Sequence, residues 1–273
     1  MAYYGSQRRG TVDYLKYAVQ KNELCPPYWT NRGQFWASQP VLVPVDERTK
    51  EAIKALVEET WNRHEVGRGR DAKNLSYSKL VVKNVERVEN LQLFKKYATA
   101  RREMMERQIR KGVVCPAVET ICKSREQVAT TNLLWGQKAF MKEDLYLEVN
   151  EHYLFHGTTV DRIGGLTSIG FNVGQSDSNN MFGRGIYLAE KTNKADQYAD
   201  QRDARSPHGH RLKLILCRTL LGNVCAREAP ERLMAPPGNF DSVIVDGRFM
   251  YREFVVYDDS RLYPEYVITY SRE

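Results

Sequence analysis

Hydrophobic and polar positions follow two different periods along the chain. After Asp46, the positions Ile53, Leu56, Val57, Thr60, Trp61 and His64 fall at i, i+3, i+4, i+7, i+8 and i+11, which predicts one face of a helix. His64 closes that stripe and reads as a partly buried or C-terminal histidine rather than a catalytic one. The turn Gly67-Arg68-Gly69-Arg70 comes after a helix, not a strand, so it reads as a surface turn and not as a phosphate loop. Residues 79–89 are β-rich and predict a strand, and Asn90 is placed to cap the next helix. Leu93, Phe94, Tyr97, Met104, Met105 and Gln108 form that helix's apolar stripe, opposite Arg101, Arg102, Glu103 and Lys111. The methionine pair reads as core filler, and Gly112 ends the helix. Residues 113–148 show no regular period.

From Asn150 the period shortens to two. Strands are predicted at 152–156, 185–189, 211–219, 242–246, 250–257 and 264–270, interrupted by a helix over 192–202 with Thr192 as its cap. Strands outnumber helices and no βαβ alternation is visible, which predicts an α+β domain rather than a doubly wound sheet. Residues 1–45 are broken by Pro26, Pro27, Pro40 and Pro44, and Tyr28, Trp29, Phe35 and Trp36 crowd there. They read as an N-terminal extension packing on a body formed by residues 46–273.

Composition narrows the classes. The chain has 273 residues, 42% hydrophobic and 27% charged, which is ordinary for a globular protein. No apolar run approaches the roughly 18 residues of a membrane span. Arg8 and Arg9 are followed by no apolar core, so no secretory signal is read, and a nuclear or cytoplasmic location is expected. The five cysteines, Cys25, Cys115, Cys122, Cys217 and Cys225, form no Cys-x-x-Cys pair and no disulfide framework. Asn74-Leu75-Ser76 is read as a chance sequon. A net charge of +7 favours anionic partners (dinucleotides, acidic proteins or nucleic acid), although most of the basic residues are scattered as a solvated surface would have them.

Four segments carry candidate chemistry. Tyr153 to Thr158 is an apolar strand ending in His156-Gly157-Thr158, able to present an imidazole and bare backbone to a ligand; alone it equally fits a satisfied turn histidine. In Met181 to Ala189, Phe182-Gly183-Arg184-Gly185 precedes a strand. The order is wrong for a dinucleotide-binding βα fingerprint, and the third glycine is missing. Tyr187 and Tyr198, the latter on the helix after that strand, are candidate flat walls for a heteroaromatic ring, though two tyrosines are more often core. In Tyr251 to Asp258, alternation puts Glu253 on the face of Val255 and Tyr257, with Phe254 and Val256 opposite. Both faces are apolar, so this is an inner strand, and a carboxylate there is costly without a partner. Glu253 is therefore either a functional acid or one half of a structural ion pair.

Together, His-Gly-Thr, Phe-Gly-x-Gly-Ile-Tyr, a tyrosine eleven residues on, and Glu-Phe-Val-Val-Tyr-Asp resemble the catalytic domain of the poly(ADP-ribose) polymerase family. The resemblance covers 150–270, within a catalytic domain of 46–273. Ala235-Pro236-Pro237-Gly238 and Leu262 to Tyr270 look most like the tankyrase and mono-ADP-ribosylating branches, as does Val85 to Asn90 leading into its helix. The resemblance implies an ADP-ribosyltransferase fold of two packed, mainly antiparallel sheets with flanking helices. It implies NAD⁺ as substrate, with His156, Tyr187 and Glu253 as the catalytic triad. His156 orients the ribose, the Gly157 backbone pairs with the nicotinamide carboxamide, and Tyr198 stacks on nicotinamide. Thr158, Phe182, Gly183 and Ala195 complete the dinucleotide contacts. Glu265 matches the family's terminal strand and not its catalytic acid. Ala195 stands where the family often has a serine, which removes one hydrogen bond of about 0.5–1.5 kcal/mol. Between Ala199 and Arg211 only His208 and His210 could bind zinc, with no cysteine, so no metal is expected.

The implied reaction breaks the nicotinamide–ribose bond through an oxocarbenium-like centre, with Glu253 bonding the ribose 2′-hydroxyl or polarising an incoming hydroxyl. Arg184 or Lys194 is expected to meet the pyrophosphate or the acceptor, and the loop 172–180 to border the pocket. Expected partners are NAD⁺ and protein acceptors, the chain itself among them; nucleic acid is permitted but not required, and no membrane is involved. The competing reading is a catalytically weak NAD⁺- or ADP-ribose-binding module, which an intact Glu253 opposes. A nucleic-acid binder finds no zinc-finger, helix-turn-helix or RNA-recognition signature here. No match to the family's autoinhibitory helical domain is seen, so activity independent of broken DNA is expected.

Overall fold

The computed structural model describes residues 9–21, 25–31, 41–201, 205, 211–247 and 249–273. Nine strands run through them: β1 (Val41–Pro44), β2 (Leu80–Glu89), β3 (Glu151–Gly157), β4 (Ile186–Ala189), β5 (Leu212–Leu220), β6 (Val224–Arg227), β7 (Ser242–Val245), β8 (Glu253–Val256) and β9 (Leu262–Arg272). The helices are α1 (Val12–Gln20), α2 (Glu47–Glu59), α3 (Leu91–Lys111), α4 (Val118–Ile121), α5 (Ala129–Asn132), α6 (Ala139–Glu143), α7 (Ile163–Ser168) and α8 (Thr192–Asp196). Phe35, Trp36, Pro40, His208 and His210, singled out in the sequence, lie outside the described residues.

The fold is the expected α+β class, but the strands form one sheet rather than two, in the order β1-β2-β9-β5-β3-β4-β8-β7-β6. Every neighbouring pair is antiparallel except β6–β7. The two halves stay joined through a single register pair, Phe155 with Ala189, where β3 meets β4. The two sheets that the resemblance implied are here two halves of one sheet, joined at that pair.

Both sheet faces are covered, so alternation sorts each strand between two cores. Leu212, Leu214 and Leu216 of β5, Tyr153 and Phe155 of β3, and Tyr266, Ile268 and Tyr270 of β9 meet Ile53, Leu56 and Val57 of α2. On the other face Ile215, Cys217, Leu154, Val267, Phe254 and Val256 meet Ile163 of α7, Val118 and Phe171. The N-terminal extension joins the body directly. Leu15 and Ala18 of α1 pack with Phe94 and Tyr97 of α3, and β1 pairs with β2. A boundary at residue 45 therefore cuts just after an edge strand of the sheet.

The capping residues act as their chemistry dictates. Asp46 accepts from the Thr49 amide at 2.9 Å, and Asn90 from the Leu93 amide at 3.1 Å. Gly112 closes α3 in the left-handed region. Helix α2 stops at Glu59, earlier than the apolar stripe suggests, because the Thr60 hydroxyl bonds back to the Leu56 carbonyl at 2.7 Å. Trp61 instead stacks on Tyr77, and His64 is exposed on a short turn rather than partly buried. Helix α8 ends at Asp196 rather than continuing to 202. Thr192 is its first residue rather than its cap, and its hydroxyl lies 2.5 Å from that of Thr60.

Candidate active site

A cleft of about 1190 Å³ opens beside the β3–β4 join. It is lined by the C-terminal end of β3, all of β4, one end of α8, α7, and the loop 172–180 that the sequence expected to border it. His156, Gly157, Thr158, Tyr187, Ala195, Tyr198 and Glu253 all line it.

Gly157 is needed where β3 passes α8. A Cβ at that position would sit 1.9 Å from the Ala195 carbonyl oxygen and 3.1 Å from the Tyr198 Cβ. Without a side chain, the strand end lies against the helix and its backbone stays open to the cleft. One residue earlier, His156 Nδ1 lies 3.0 Å from the Tyr187 carbonyl. A carbonyl only accepts, so Nδ1 carries the proton, and in the neutral ring Nε2 is an acceptor. Burial first, with the Arg162 charge, pushes its pKa below the ordinary histidine value against the Tyr187 bond, which favours the neutral ring at pH 7. Phe171 meets the imidazole edge-on at 5.1 Å, fixing its plane.

Tyr187 is held at its hydroxyl, which accepts from the Phe182 amide at 2.9 Å and donates to the Gly183 carbonyl at 3.1 Å. Gly183 has φ +72°, and a Cβ there would meet the Leu233 carbonyl at 1.8 Å. Phe182 is buried against Phe249. Phe182 and Gly183, expected as dinucleotide contacts, therefore stand behind Tyr187 and anchor it instead of facing the cleft.

Register sets Glu253 beside this group: Ala189 pairs with Phe155 on one side and with Glu253 on the other. Glu253 is 7% exposed, with its Oε1 3.4 Å from Lys194 Nζ. Burial raises its pKa above the usual carboxylate value, and Lys194 offsets only part of that. Lys194 also donates to Asp71 Oδ2 at 3.0 Å and to the Tyr198 hydroxyl at 3.1 Å, and Tyr198 donates to the same Asp71 oxygen at 2.8 Å. Tyr198 as a whole remains 45% exposed and lines the cleft. Burial, then Lys194 opposing it and Glu253 adding to it, leaves its hydroxyl up at about 12.

The other acid that the sequence weighed, Glu265, is fully buried and bonded to Arg218 and to the Tyr28 hydroxyl, while Glu253 has an ion pair of its own with Lys194, one of the two readings that the sequence left open for it. Lys194 is committed to Glu253 and Asp71 rather than free for a phosphate. Arg184 does not line the cleft; its backbone amide bonds Leu233 and its Nε is buried without a hydrogen bond among the described residues. The cations that line the cleft with Lys194 are Arg162 and Arg232, both exposed. Sequence reading missed these two, Phe171 and Asp71. The one available signal was that Asp71 directly follows the glycine-rich turn.

Among the described residues no group of three His, Cys, Asp or Glu is placed to hold a metal ion. All five cysteines are unpaired and buried. No helix of the described residues is long and apolar enough to cross a membrane.

A mainly antiparallel sheet whose split brings a histidine, two tyrosines and a buried acid to one cleft has the make-up of a ligand-binding or catalytic site. Residues 66–248 match the family model described as the poly(ADP-ribose) polymerase catalytic domain. The chain belongs to that family, the NAD⁺-dependent ADP-ribosyltransferases.

Proposed function

We propose that this cleft binds NAD⁺, breaks its nicotinamide–ribose bond and transfers ADP-ribose to protein acceptors, the chain itself among them. The observation that carries the proposal is the convergence of His156, Tyr187, Tyr198 and Glu253 on one cleft from four separate stretches of sequence. The open face of Tyr198 and the anchored ring of Tyr187 supply aromatic walls for nicotinamide. The bare Gly157 backbone supplies hydrogen bonds for its carboxamide. Nε2 of His156, an acceptor, takes a ribose hydroxyl proton. Glu253 has one oxygen toward Lys194, and its other oxygen is available to accept from a second ribose hydroxyl. As the leaving group departs, that carboxylate faces growing positive charge on the ribose, where its stabilisation is strongest. Arg162 and Arg232, exposed cations that line the cleft, supply charge for the diphosphate in this reading.

The test is incubation with labelled NAD⁺, comparing wild type with Glu253→Gln. Nicotinamide release falls roughly a hundredfold or more in the variant if the carboxylate stabilises the transition state. On a gel, a ladder reports chains of ADP-ribose and a sharp band single units. Wild-type release in the variant removes Glu253 from this role. NAD⁺ binding without any release by wild type leaves a binding module.

A further inference from the structure

The connector between α2 and β2 reaches the cleft at Asp71. Three consecutive residues of α8 grip this connector. The Thr192 hydroxyl meets that of Thr60 at 2.5 Å. Asn193 exchanges two hydrogen bonds with the Asn62 backbone, at 2.6 and 2.9 Å. Lys194 donates to Asp71 at 3.0 Å. Arg205 fastens the same turn from behind, donating to the Asp71 carbonyl at 2.6 Å and to the Gln197 carbonyl at 2.7 Å. Arg205 thus holds the Asp71 backbone, and one carboxylate oxygen of Asp71 receives both the Lys194 ammonium and the Tyr198 hydroxyl.

We propose that Asp71 is a positioning residue for the transfer reaction: it fixes the plane of the Tyr198 ring and holds the Lys194 ammonium back from full engagement with Glu253. The proposal rests on reading the cleft as the NAD⁺ site. Tyr198 is 45% exposed, so the tether at its hydroxyl joins the Lys194 ammonium, 5.0 Å from the ring centre, in setting the ring's angle. That angle matters more here because Ala195 offers no hydroxyl to the nicotinamide amide. Lys194 has a long, flexible stem and sits between two acids, 3.0 Å from Asp71 and 3.4 Å from Glu253. Without Asp71 the ammonium settles on Glu253 and competes with the ribose hydroxyl for it. The charged and titratable groups facing Glu253 are Lys194, Asp71, Tyr187 and Tyr198. Arg252, its chain neighbour, turns away to Glu190 at 2.7 Å.

The experiment is nicotinamide release as a function of NAD⁺ concentration and pH, in wild type and Asp71→Asn. Loss of the charge-assisted tether raises KM for NAD⁺ on the order of five- to tenfold. Removing the Asp71 charge and freeing Lys194 both favour ionised Glu253, so the acid limb of the rate profile moves to lower pH. An unchanged KM with an unmoved acid limb overturns the proposal. So does a uniform fall in rate at every pH with KM retained, which marks a purely structural residue. If Asp71→Asn does not fold, Tyr198→Phe decides: it keeps the ring and removes the tethered hydroxyl, and a wild-type KM there overturns the proposal. A wild type that releases no nicotinamide sinks the functional reading instead.

Discussion

At residue 253 opposing influences meet. Burial favours the protonated acid, Lys194 favours the carboxylate, and the Asp71 charge adds to the side of burial; the pKa stands above the usual glutamate value. The folded state therefore holds this proton to higher pH than the unfolded chain does. The resulting penalty is absent below the unfolded pKa, grows as pH rises toward the folded one, and is complete above it. Glu253 is thus a residue that stability alone would not select. Replacing it with the neutral, equally sized Gln should raise the melting temperature at pH 8 while cutting release of nicotinamide roughly a hundredfold or more. A thermal melt of both proteins checks this, and a lower melting temperature in the variant at that pH contradicts it. The suspicion against Glu253 was legible in sequence because an acid on a strand apolar on both faces breaks a local rule. Its neighbour Asp71 was not, since nothing in a polar turn reveals contact with a lysine 123 positions away.

Helix α8 shows how an element can be short and still set a site. Five residues long, it presents the Ala195 carbonyl to Gly157 on one side and Tyr198 to the cleft just past its end. Its place is fixed by side-chain bonds to the connector, because a helix this short has little stability of its own. Gly157→Ala drives a methyl group into the Ala195 carbonyl, a backbone atom that cannot rotate aside. Overpacking of this kind costs about 1–3 kcal/mol, or about 2–4 °C of melting temperature per kcal/mol in a chain of this size. Activity should suffer more, since a 1 Å misplacement of a binding group can cost roughly a hundredfold. Steady-state kinetics beside a melt measures both, and near-normal kcat/KM for NAD⁺ refutes the close approach as a determinant of the site. The strands of this half were readable from period alone, and the predicted spans 152–156, 211–219 and 264–270 fall within β3 and β9 and largely within β5. The helices were less so. The stripe after Asp46 counts side chains but not the backbone, and it overran α2 by missing the point where the Thr60 hydroxyl takes over the last turn. β6 was not read although β4, β7 and β8, equally four residues long, were; the helices within 113–148, of four or five residues, carry too few for any period to emerge.

Across the whole molecule, buried charge ties together parts that the chain sequence keeps apart. Arg218 of β5 is fully enclosed, with Glu265 of β9, Glu151 of β3 at 3.3 Å, the Asp144 carbonyl at 2.8 Å and the Tyr28 hydroxyl at 2.7 Å. Arg101 of α3 reaches the same Glu151 oxygen at 3.3 Å. Tyr28 brings the N-terminal extension into this cluster, so residues read as an appendage help to close the core. No sequence period announces such a cluster, because each member alone looks like a surface charge. Burial by itself would raise the pKa of Glu151, but Arg101 and Arg218, with the Tyr97 hydroxyl and the Tyr146 amide, hold it below the usual glutamate value. Its contribution is therefore present above the unfolded pKa of about 4.3 and is lost as pH falls through the folded one. Glu151→Gln leaves Arg101 and one edge of Arg218 buried against a neutral amide, and removal of one partner from a buried pair costs about 3–5 kcal/mol. At pH 7 the variant should melt well below wild type. On acidification wild type loses the same interaction by protonation, so the gap between the two melting curves must narrow below about pH 4. A gap that stays constant from neutral to acid pH means that packing around residue 151, and not its charge, holds the strands, helix and extension together.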